Sequence, residues 1–272
     1  PLGAGAAGLI ALSLEIEARR MDRTTLGELI GMAGLSAALP ATAYAASGSL
    51  TAPTAALWVI TALHEHFHQI QQSQPDYYEA ANALGLSGDD DGGMWMLDYP
   101  FPYDSTEIGV VFSEYQQALA DALAELYTTS ATSTETQTAT DTFLSARTRL
   151  KAALSPEDFR YLSFQIWQEG VSRYTEHRVA KLAAEQYTST PNFASLKDAI
   201  SYEDAGELLK MKLATALSEN ELASTRRVSF YGVGAAEAHL LDKLTINVPH
   251  LIGRNDFEPH AARIRLVRNV GR

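Results

Sequence analysis

A mainly α-helical fold is predicted for this 272-residue chain from three observations. Apolar residues recur mainly at helical spacing, and convincing alternating strands are scarce. Several of the apolar-periodic stretches are preceded by helix-start chemistry, a capping side chain or a proline with acids in the first turn. Hydrophobic residues make up 46% of the chain, enough for the core of one good-sized domain and too many for general disorder.

The elements follow in order. Thr51 with Pro53 predicts a helix start, and Ala55 to Gln72 continues with little to break it. Gly85, Gly88, Asp89 to Asp91, Gly92 and Gly93 then form a loop. The aromatic segment Met94 to Tyr103 contains Pro100 and Pro102, which forbid a regular helix there; it either lines a binding cleft or plugs the core. Asp104 and Glu107 have capping-box spacing and open a second long helix. Its apolar face runs through Ile108, Val111, Phe112, Tyr115, Leu119, Leu123 and Leu126. Residues 128–140, dominated by Thr and Ser, read as an exposed connection. Ser155, Pro156, Glu157 and Asp158 start a third helix that runs to about Tyr187. Two more helical stretches are predicted near Tyr202 to Ser218 and Val228 to Leu244. One mainly helical domain over 1–249 is therefore expected, its N-terminus open to truncation because the chain starts at Pro1. A basic tail over 250–272, with Arg254, Arg263, Arg265, Arg268 and Arg272, follows it.

Composition removes several functional classes. The formal net charge of −12 offers no basic stripe for nucleic acid. There is no cysteine, so thiol nucleophiles and Cys-rich zinc sites are excluded and any metal must be held by His and carboxylates. No apolar run is long enough to span a bilayer. Leu29 to Ala46 resembles a signal-peptide core with Met21 as a start, yet Asp22 and Glu28 spoil the basic leading region. Two small buried helices are the preferred reading there. The compartment stays open, with an extracytoplasmic location slightly favoured.

The chemistry concentrates in Leu63-His-Glu-His-Phe-His-Gln69, where His64, Glu65 and His68 form HExxH inside a predicted helix. Residues four apart share a helix face, so both imidazoles can reach one metal ion. Glu65 is rotated off that line and can act on a water without occupying a ligand position. His66 falls nearly on the opposite face and is excluded. A catalytic zinc needs a third protein ligand and an open position. No third His follows at close spacing, so a carboxylate is expected. Trp167-Gln-Glu-Gly-Val-Ser-Arg-Tyr-Thr-Glu176 supplies candidates: Glu169 and Glu176 share a helix face, with Arg173 between them, among apolar neighbours that turn at least one acid inward.

This segment resembles the W-x-N-E-G-x-A-x-Y-x-E string of the gluzincin aminopeptidases. The resemblance implies a zincin-like helical metallopeptidase domain, with the HExxH helix packed against a Glu-bearing helix. It implies zinc (Zn2+) held by His64, His68 and Glu169, with Glu65 as general base and a peptide or protein as substrate. Glu176 would then hold a ligand His in place. Tyr231, Tyr174 or Arg173 would steady the oxyanion. Gln168 stands where those enzymes have Asn, the gap from His68 to Glu169 is longer, and no GxMEN-like motif precedes it. The choice between trimming ends and internal cleavage is thus left open. The alternatives are a non-catalytic zinc-binding protein of the same fold and a helical interaction domain with an accidental HExxH.

Overall fold

The computed structural model describes residues 54–75, 77–88, 90, 92–128 and 132–247. The signal-like stretch Leu29 to Ala46, the Thr51 and Pro53 helix start and the basic tail 250–272 lie outside the described residues. Every regular element among the described residues is helical. None of these helices is long and apolar enough to cross a membrane.

Two compact units divide the chain, the first made of Pro1–Gln74 with Val179–Gly206 and the second of Pro75–Arg178 with Glu207–Arg272. In the first, helix α1 spans Ala55–Gln72, the range its apolar periodicity predicts. Its buried line is Leu57, Ile60, His64, Phe67 and Gln71, a 3-4-3-4 spacing that places two polar side chains on the inward stripe. The Ala55 amide donates to the Asp198 carbonyl at 3.3 Å, which ties the start of α1 to the returning chain.

The second unit is built from α2 (Tyr77–Asn82), α3 (Trp95–Asp98), α4 (Thr106–Tyr127), α5 (Ser133–Ala153), α6 (Pro156–Gln165) and α7 (Val171–Gln186, through Arg178). Past the short α8 (Pro191–Ala194) of the first unit come α9 (Tyr202–Glu219, from Glu207), α10 (Leu222–Thr225) and α11 (Ser229–Asn247). Helix α4 packs on α5 and α11, and Phe112, Tyr115, Leu119, Phe143, Leu150, Tyr161 and Phe230 are fully enclosed. Burying each such side chain contributes about 1.5–3 kcal/mol.

Two predicted details are corrected. The cap of α4 is Ser105, whose side chain accepts from the Ile108 amide at 3.3 Å, and not Asp104. Asp104 instead meets Arg226 at 3.2 Å. The Thr/Ser-rich segment is helical from Ser133 onward, not an exposed connection through 140. Thr132 and Glu135 close a full capping box at its start. The hydroxyls of Thr138, Thr140 and Thr142 donate to carbonyls one turn earlier, at 2.9, 2.7 and 2.9 Å, so they are satisfied inside the helix. Phe143, Ala146 and Leu150 then supply a buried face that composition alone concealed.

The aromatic segment resolves as a core plug. Phe101 and Tyr103 are buried, with ring centroids 5.1 and 5.9 Å from Phe230. The carbonyl of Met96 accepts from Tyr161 at 3.1 Å and from Gln165, so the loop is pinned to α6. Ser155 caps α6 as predicted, accepting from the Asp158 amide, with Pro156 in the first turn. The long third helix contains an unpredicted interruption: Ile166–Gly170 forms a π-helical turn.

That turn sits where two backbones nearly touch. A Cβ built on Gly170 would lie 2.3 Å from the Gly234 Cα, and one built on Gly234 would lie 2.7 Å from the Gly170 Cα. Only a Gly–Gly crossing permits this approach of α11 to the π turn. It sets Tyr231, one turn before Gly234, against the stretch that carries Glu169.

Candidate metal centre

The histidine half is local to α1. His64 is buried, Glu65 and His68 are half-buried, and His66 is exposed on the other side. The rings of His64 and His68 meet edge to face with centroids 4.8 Å apart, and their Nε2 atoms are 3.1 Å apart. His68 Nδ1 lies 2.9 Å from Gln71 Oε1. With that oxygen facing the ring, Nδ1–H donates to it, and the His68 Nε2 lone pair is directed at His64. Two lone pairs cannot face each other at this distance without a proton or a cation to share. The spacing is also close to the roughly 3.3 Å edge of a tetrahedron with zinc–nitrogen bonds of about 2.0 Å. Gln71, three residues past His68, was not singled out from sequence; its place on the same helix face was the available signal.

The carboxylate half is local to the π turn and α11. Glu169 accepts from Arg227 Nη1 at 3.4 Å, and the same nitrogen donates to the Tyr231 hydroxyl. Beside Glu169, Gln168 accepts from the Tyr77 hydroxyl at 3.2 Å. Burial, reinforced by the Glu169 carboxylate, pushes the Tyr231 hydroxyl up to about 12, while Arg227 and Arg173 pull the other way. Tyr231 is therefore a protonated donor at neutral pH. Arg227 directly follows Arg226, whose φ of 47° is the one left-handed non-glycine backbone among the described residues. Such a conformation costs on the order of 1–3 kcal/mol and must be held by its surroundings. Here Arg226 stacks on Tyr103 with 4.6 Å to the ring centroid and pairs with Asp104.

The remaining sequence candidates separate. Arg173 Nη1 donates to both oxygens of Glu176, at 2.9 and 3.2 Å, and Glu176 is buried. Arg173 also sits over the Tyr231 ring, 5.7 Å from its centroid. Tyr174 is buried edge-on against His239, with ring centroids 4.9 Å apart, two turns along α11 from Tyr231. Arg227 was missed by sequence reading; it lies four residues before Tyr231, but a lone arginine there carries no distinctive signal.

His64 and His68, buried and half-buried on one turn of α1, supply the imidazole part of a zinc donor set, which a carboxylate would complete. No known protein family, curated protein or solved structure matches this chain.

Proposed function

We propose that the protein is a zinc-dependent hydrolase of zincin-like type, a metallopeptidase in which His64, His68 and Glu169 hold the ion. The observation that carries this reading is the pair His64 and His68, their Nε2 atoms 3.1 Å apart on α1, with Glu65 next to the first. When bound, zinc supplies a Lewis acid that acidifies water and polarises a carbonyl.

The chain's own residues then divide the work. Gln71 holds the His68 ring by its Nδ1–H and so keeps Nε2 available as a ligand atom. Glu65 is the general base: it takes a proton from the attacking water and delivers it to the leaving amine. Tyr231, kept protonated, donates to the oxygen on which charge develops. It is preferred over Tyr174 because it shares the Arg227 guanidinium with Glu169, whereas Tyr174 faces His239. Arg227 steadies the Tyr231 hydroxyl and adds positive charge beside it. Arg173 holds the buried Glu176, so that no carboxylate stands uncompensated at this end of α7.

The test is metal content together with hydrolysis of a peptide mixture by the purified protein and by Glu65→Gln. Stoichiometric zinc in both proteins, with hydrolysis only in the first, is the expected result. Zinc without hydrolysis in either would leave a metal-binding protein, and no zinc would leave a helical domain. Glu169→Ala should weaken zinc binding more than Glu176→Ala; the reverse order would exchange their roles.

A further inference from the structure

Two arginines converge on Tyr231. The guanidinium carbon of Arg173, on α7, is 5.7 Å from the ring centroid, and that of Arg227, before α11, is 5.2 Å from it. Such a pairing is conspicuous in a chain of net charge −12. Each guanidinium has five N–H donors in a planar fork. Arg173 engages Glu176 through Nη1 alone, and Arg227 engages Glu169 and Tyr231 through Nη1 alone. Among the described residues, the Nε and Nη2 donors of both arginines make no hydrogen bond to protein. The Arg173 side chain is 43% exposed and that of Arg227 is 23% exposed, so ligand and solvent can reach both. Two like charges held this close repel unless anions balance them. Glu169 and Glu176 do so here, but a Glu169 committed to a metal ion leaves Arg227 with less of its partner.

We propose that Arg173 and Arg227 form a recognition site for a substrate carboxylate, the terminal carboxylate of a peptide being the source that a peptide-bond hydrolase meets. This substrate class rests on the hydrolase reading above. Planar forks match a carboxylate with two parallel hydrogen bonds, and both forks lie beside the Tyr231 ring. A neutral chain end would leave these donors unmatched, which gives discrimination as well as affinity.

The test compares three peptides: acetyl-Ala-Ala-Ala as the free acid, the same peptide as the C-terminal amide, and acetyl-Ala-Glu-Ala amide. Binding is measured by calorimetry on zinc-loaded Glu65→Gln, and hydrolysis on the unmodified protein. The free acid should bind about 10- to 100-fold more tightly than the amide. Arg173→Gln and Arg227→Gln should each weaken free-acid binding far more than amide binding, and so remove most of that preference. Arg173→Lys, which keeps the charge beside Glu176 and loses the fork, should fold normally and retain part of it. Preference for the Glu peptide over the free acid would confirm the carboxylate site and assign it to a side chain. Equal binding of all three peptides would overturn the proposal. Hydrolysis without discrimination would overturn the carboxylate site alone; discrimination in binding with no hydrolysis would overturn the hydrolase reading alone.

Discussion

Replacing Gly170 by alanine drives a methyl group into the backbone of α11. The new Cβ would lie 2.3 Å from the Gly234 Cα, 2.6 Å from its carbonyl carbon and 3.0 Å from the Ala235 nitrogen, where ordinary contact begins at 3.4 Å. Backbone atoms cannot swing aside as a side chain would, so the helices must part by roughly 1 Å, with an overpacking cost of about 1–3 kcal/mol. Alanine's better helix propensity offsets at most about 1 kcal/mol of this. The same shift carries Tyr231 and Arg227 away from Glu169, and a displacement of that size at reacting groups costs on the order of 100-fold in rate. Urea denaturation followed by circular dichroism gives the stability change, and kcat/KM on the peptide mixture gives the rate. Gly109→Ala is the control: a Cβ there meets nothing within 4 Å in α4, so stability should rise by about 0.5–1 kcal/mol. If Gly170→Ala unfolds at an unchanged or higher denaturant midpoint, the close crossing of the π turn and α11 is wrong.

Two further outcomes follow from buried polar groups. Gln71→Leu removes the acceptor for His68 Nδ1–H and should weaken zinc affinity about 10- to 100-fold with little loss of helix content; competition with a chromophoric chelator measures it. Unchanged affinity would remove Gln71 from the site. Burial, with nearby Arg and Lys charges, lowers His177 to about 4 and His239 to about 3, although Glu176 opposes the shift at His177. Both rings are neutral in the folded protein below pH 6.5, while the unfolded chain takes up their protons. Stability is therefore complete above about pH 6.5 and falls towards pH 4 by about 1.4 kcal/mol per pH unit for each histidine. His239→Asn should flatten the pH slope of the denaturation midpoint between these limits, and an unaltered slope would show that His239 titrates normally.

The extent of the helices and the identity of the candidate ligands were legible without coordinates, because both depend on local periodicity. Helix α1 runs over the predicted Ala55 to Gln72, and the Ser155 and Pro156 start of α6 is the one its chemistry announces. His64, Glu65 and His68 share a turn, so their geometry follows from helical pitch alone. Composition misled where a local rule had an exception: threonine-rich sequence reads as loop, but hydroxyls that donate one turn back let Ser133–Ala153 run as a helix. The cap of α4 moved by one residue because Asp104 is claimed by Arg226, a partner that sequence cannot foresee. The placement of Tyr231 and Arg227 beside Glu169, and the fate of the aromatic segment, were decided by tertiary structure. The reason is physical. Neighbours on one helix are set by a repeat of 3.6 residues, whereas the meeting of Glu169 with Tyr231 depends on two glycines, Gly170 and Gly234, in elements far apart in sequence. What sequence determined is which side chains share a helix face; what only the packed chain decided is which side chains of distant elements stand close together.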